Sequence, residues 1–163
     1  CACLVGSEMC IRDSITTAEE LGKSEDELYR ALVFANLLTL YVKSGIGKLS
    51  AYCGVVSAGV VSVAGIAFLK GDSKDIIENT LVNGLASLSG IVCDGAKPSC
   101  AGKIAISLDG AFMGYKQARL NKNYQKGDGL VAYSVDETIR SIGAVAQGMK
   151  ETDVVILNEM LKH

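Results

Sequence analysis

Cys53, Cys93 and Cys100 are the residues of this chain best suited to chemistry, with 39 residues between the first two and six between the last two. The second pair brackets Ile91-Val92-Cys93-Asp94-Gly95-Ala96-Lys97-Pro98-Ser99-Cys100, a segment that holds the only proline. A loop with glycine and proline between two helices can turn both flanking thiols towards one small object, which an unbroken helix could not easily do. Three chemistries suit the spacing: thiols buried as small apolar residues, a redox pair, or ligation of a metal or iron-sulfur cluster. Three thiolates are one short of a closed tetrahedral zinc site. They suffice for a [4Fe-4S] cluster that keeps one iron open as a Lewis acid.

Other chemistries lack their residues. The single histidine is His163, so Ser-His-Asp, Cys-His and histidine-rich zinc arrangements are excluded within these 163 residues. Glycine is abundant, yet no GxGxxG or GxxxxGK[ST] pattern follows a predicted strand, so nucleotide binding has no motif behind it. Within the loop, Asp94 and Lys97 are candidates to orient a substrate's ammonium and carboxylate, against the ordinary alternative of solvated loop charges. Gly95 would let backbone N–H groups approach cluster sulfurs. Lys103 is either a carboxylate partner or an exposed helix residue, and Ser44 and Ser50 are candidate hydrogen-bonding neighbours of Cys53.

The elements that must position these residues read as helices, because no stretch alternates apolar and polar residues as a half-buried strand would. Ser24 and Glu27 form a capping box, and Leu28, Ala31, Leu32, Ala35, Leu38 and Val42 recur at three and four, predicting a helix over 25–43 closed by Gly45 and Gly47. The stretch 49–69 carries no charge. Its length would allow a membrane span, but Ser50, Gly54, Ala58 and Ser62 at every fourth position favour a buried central helix, and only Lys48 and Lys70 flank it. Asp72 or Ser73 caps a helix running to the cysteine loop, and another runs from Cys100 to Arg119. The segment 121–129 reads as an exposed connection; Ser134 with Glu137 opens a helix to Met149, and 152–161 is the last. The fold class is thus all-α: a bundle of about six helices around a Gly/Ala/Ser-rich central one.

Composition agrees with one domain and a small-molecule partner. The length and 49% hydrophobic content support a core without disulfide staples, so six cysteines and the absence of a secretory leader point to the reducing cytoplasm. With 16 basic against 18 acidic residues, three Phe, six Tyr and no Trp, the chain lacks the basic footprint and aromatic platforms of a nucleic-acid binder. Val5-Gly6-Ser7-Glu8-Met9-Cys10-Ile11-Arg12-Asp13-Ser14 looks like translated sequencing-adapter readthrough. Residues 1–14 are therefore expected to be an artefactual leader, Cys1, Cys3 and Cys10 are set outside the site, and the natural protein would continue upstream of Ile15.

Two segments carry a family resemblance: Ser44-Gly45-Ile46-Gly47-Lys48-Leu49-Ser50-Ala51-Tyr52-Cys53-Gly54, and Gly90 through Cys100 with its CDGAK core. Both resemble the L-cysteine desulfidase family, relatives of the iron-sulfur L-serine dehydratase alpha chain, and the resemblance runs over 15–162, including Asp136-Glu137-Thr138-Ile139-Arg140 and Gly148-Met149. It implies that 15–163 is the C-terminal part of an all-helical catalytic domain holding a [4Fe-4S] cluster on Cys53, Cys93 and Cys100. It further implies β-elimination from a small amino acid without pyridoxal phosphate. L-cysteine would give pyruvate, ammonia and sulfide; L-serine is the alternative substrate, and a non-catalytic cluster or metal sensor the alternative class. The family's proposed base is a cysteine in an N-terminal half that has no counterpart motif here. That half would be supplied in cis or in trans, and a homo-oligomer is compatible with the reading.

Overall fold

A computed structural model describes the backbone of 2–47 and 50–162 and the side chains of 11–47 and 50–162. Lys48, Leu49 and His163, and the side chains of Cys1, Cys3 and Cys10, lie outside the described residues. Among the described residues seven helices follow in order: α1 Ala2–Glu20, α2 Glu25–Ile46, α3 Gly54–Lys70, α4 Lys74–Leu88, α5 Ser99–Arg119, α6 Val135–Gly148 and α7 Lys150–Met160. The expected bundle of about six thus gains α1, which covers most of the stretch read as a leader. Asp13 in it accepts a 2.9 Å hydrogen bond from Ser62 Oγ of α3, and Ser14 is buried.

Local chemistry accounts for the helix starts. Ser24 Oγ accepts from Glu27 N while Glu27 Oε2 accepts from Ser24 N at 2.9 Å, closing the capping box of α2. Ser73, rather than Asp72, caps α4 by accepting from Ile76 N. At α6, Ser134 accepts from Glu137 N, whereas the Glu137 carboxylate reaches one residue further back, to Tyr133 N.

At the centre, α3 packs against α1, α2, α4 and α5. It is buried on all sides, with Val55 through Ala67 and Leu69 inside. A helix apolar all round has to be surrounded, and no helix among the described residues is long and apolar enough to cross a membrane. Small residues permit the close crossings: a Cβ on Gly59 would sit 3.1 Å from Ser107 Cβ of α5, and one on Gly114 of α5 would sit 2.8 Å from Gly84 N of α4.

Two boundaries differ from the sequence reading. Helix α2 runs through Gly45 to Ile46 and is closed by Gly47 at φ 97°, because Gly45 lies under Gly143 of α6 rather than at a helix end. The helix does not fill the uncharged stretch: α3 begins only at Gly54, with Tyr52 in a β-bridge and Cys53 extended. Ala51 O and Cys53 N pair with a distant segment.

Candidate functional site

That segment is the cysteine loop. Tyr52 and Val92 form an isolated antiparallel bridge, with Cys53 N donating to Ile91 O at 3.0 Å and Cys93 N donating to Ala51 O at 2.7 Å. Ser50 prepares the turn into it by accepting from Tyr52 N at 2.9 Å. Side chains alternate across such a ribbon, so Tyr52 and Val92 share one face, while Cys53 and Cys93 share the other. Cys93 is the diagonal neighbour of Cys53, a relation that puts their backbones about 7–8 Å apart.

Cys100 joins them from the first turn of α5, after Lys97 N bonds Gly95 O and Cys100 N bonds Lys97 O. Gly95, at φ 86°, makes the left-handed turn that this reversal requires. Its Cα faces α7, where Met160 Cε would lie 3.5 Å from an added Cβ.

All three cysteines are free thiols. Cys53 is buried at the N-terminal end of α3; burial pushes its thiol above the ordinary value, the Val55 N–H and the Lys103 ammonium work against that, and the nearby Cys93 and Cys100 add to it. Tyr52 beside it is pushed up to about 12, chiefly by burial, and stays a neutral phenol. Among the described residues no group of three Cys, His, Asp or Glu side chains closes around a single ion. Three cysteine thiolates are a donor set of the kind that holds an iron-sulfur cluster.

One side chain ties the ribbon to the helix. Lys103 stands one turn beyond Cys100 on α5, and its ammonium donates to Val92 O at 2.9 Å and to the Asp94 carboxylate, thereby holding both residues that flank Cys93. The interaction lowers the Asp94 carboxyl and raises Lys103, in each case mainly through the hydrogen bond between them.

The other residues singled out in the sequence fall as follows. Asp94 is engaged by Lys103 at one oxygen, and Lys97 is exposed on the loop. Ser44 Oγ donates back to Tyr41 O within α2 at 2.7 Å, so it serves the helix end. Missing from the sequence reading was the bridge at Tyr52 and Val92, because a single pair of ladder bonds leaves no periodic trace. The clamp was partly visible: Cys100 and Lys103 at i and i+3 share a helix face.

The family model for the serine dehydratase alpha chain matches residues 12–158. The chain belongs to the serine dehydratase alpha chain family. A UPF0597 protein of Desulfitobacterium hafniense (strain Y51) is 53% identical over 148 residues, covering 90% of this chain and 34% of the relative. A UPF0597 protein of Finegoldia magna (strain ATCC 29328 / DSM 20472 / WAL 2508) is 48% identical over 154 residues, 94% of this chain and 37% of the relative. A third, from Treponema denticola (strain ATCC 35405 / DSM 14222 / CIP 103919 / JCM 8153 / KCTC 15104), is 47% identical over 149 residues, 91% and 35% respectively. This serine dehydratase alpha family chain spans about a third of the length of these curated relatives. No solved structure matches it.

Proposed function

We propose that this chain is the cluster-holding part of an iron-sulfur lyase that performs β-elimination on L-cysteine, yielding pyruvate, ammonia and sulfide, with L-serine as the alternative substrate. The observation that carries the reading is the ribbon: its backbone bonds join the segments of Cys53 and Cys93, and Cys100 lies close enough to act on the Cys53 thiol. When bound, such a cluster with one iron free of protein ligands supplies Lewis-acid activation of the leaving thiol or hydroxyl.

The chain's own residues supply holding and orientation. Cys53, Cys93 and Cys100 are the ligands, Cys53 from the residue before α3 and Cys100 from the first turn of α5. Lys103 keeps Cys93 in register with Cys100. The second Asp94 oxygen faces the substrate ammonium, and Lys97, free on the loop, pairs with its carboxylate. Removal of the α-proton falls to a group outside the 163 residues, within the two thirds of the relatives' length that has no counterpart here. Eliminating the β-substituent as this proton leaves gives aminoacrylate, which hydrolyses to pyruvate and ammonia.

Anaerobic reconstitution with iron and sulfide tests the assignment. The wild-type chain should take up about four irons and four sulfides and turn brown, and Cys53→Ala, Cys93→Ala and Cys100→Ala should each lose that uptake. No uptake, or uptake indifferent to the three substitutions, overturns it. Sulfide and pyruvate release should then require a relative-length protein; a loaded protein of that length without either product would be a sensor.

A further inference from the structure

Helix α2 is apolar on two opposite faces. Ala31, Ala35, Val42 and Ile46 are buried on one. On the other, Tyr29, Val33, Leu37 and Leu40 are 58%, 58%, 62% and 67% exposed. At 3.6 residues per turn those four lie within about 80° of one another, forming one stripe nearly three turns long. A surface helix ordinarily keeps a single apolar face, and contiguous exposed apolar patches mark binding surfaces.

The stripe also continues into the groove beside it. Phe34 stacks on Phe68 of α3 with ring centroids 4.6 Å apart, and these two rings floor both the stripe's edge and a cavity of about 470 Å³ between α2, α4 and α6. Tyr41 closes the rim of that cavity, its hydroxyl donating to Asp136 Oδ1 at 2.6 Å. Nothing among the described residues covers either.

We propose that this surface docks the part of a relative-length polypeptide that lies outside the matched third, through a complementary apolar segment seated along Tyr29, Val33, Leu37 and Leu40. About two thirds of the relatives' length lies outside the matched segment, and the core helix α3 is already enclosed, so any of that length packing against this architecture does so on its outer surface. An exposed apolar stripe flanked by an apolar cavity is a place where a packed segment removes apolar surface from water. The proposal rests on family membership and is independent of the cluster: its test uses no iron.

Hydroxyl-radical footprinting provides that test, comparing the 163-residue chain with the Desulfitobacterium hafniense relative in which residues 12–158 of this chain replace the matched segment. Labelling of Tyr29, Val33, Leu37 and Leu40 should fall severalfold in the longer protein. Leu37→Asp should lower the melting temperature of the longer protein by several degrees and leave the short chain within about a degree. The same footprinting comparison on the unaltered relative, intact against its excised matched segment, does not depend on the chimera folding. Equal labelling in both settings overturns the proposal. So does a short chain that light scattering shows to be a dimer with the stripe already protected, since a second copy is then the occupant.

Discussion

At the residue scale, the informative contact is Lys103 with Asp94 and Val92 O, because one ammonium fixes both neighbours of Cys93. The Asp94 carboxyl is held below its ordinary value by that ammonium. A depressed carboxylate stabilises the folded chain above its unfolded pKa of about 3.9 and ceases to do so as the pH falls through its lower folded value. Lys103, being raised, keeps its share below about 10.4 and loses it above its folded value, so the pair is fully effective across neutral pH. Asp94→Asn should therefore cost less than about 1 kcal/mol at pH 7, the carboxylate being 40% exposed. Urea denaturation should show the gap between Asp94→Asn and wild type closing as the pH drops below the carboxylate range; a constant gap would mean that the charge is irrelevant.

At the element scale, helix crossings depend on glycines that local sequence rules would place at helix ends. Gly143 of α6 lies so close to Gly45 of α2 that an added Cβ would collide with the Gly45 carbonyl, which belongs to the backbone and cannot turn aside. Gly143→Ala is expected to cost about 2–3 kcal/mol, read as a lower urea midpoint. Gly102, between Cys100 and Lys103 on α5, has nothing within 4 Å of the same position. There alanine should stabilise by up to about 1 kcal/mol, so opposite signs at the two sites would separate packing from helix propensity.

At the scale of the whole molecule, burial is graded from α3, inside on every side, to α7, which has no buried residue and packs on α6. Opening free energy follows buried contacts, so native-state hydrogen exchange should find the α3 amides among the last to exchange, near the global unfolding limit, and the α7 amides among the first. Equal protection of both helices would contradict this gradient. The site draws on the stable end for Cys53 and on α5 for Cys100 and Lys103, while Cys93 depends on the bridge and the clamp.

Residue types a few positions apart suffice for the helical class, the caps at Ser24 and Ser134, the buried character of α3 and the cysteines that share one loop. The CDGAK loop resembles that of relatives of the serine dehydratase alpha chain, and the match over 12–158 established the serine dehydratase alpha chain family itself. Long-range packing brings 51–53 out of the helical pattern to meet 91–93, puts Gly45 inside a helix and carries Lys103 back across the loop. These are agreements between segments up to about a hundred residues apart, made by one backbone bridge, one close crossing and one ammonium. None of them repeats along the chain, so periodicity could not announce them.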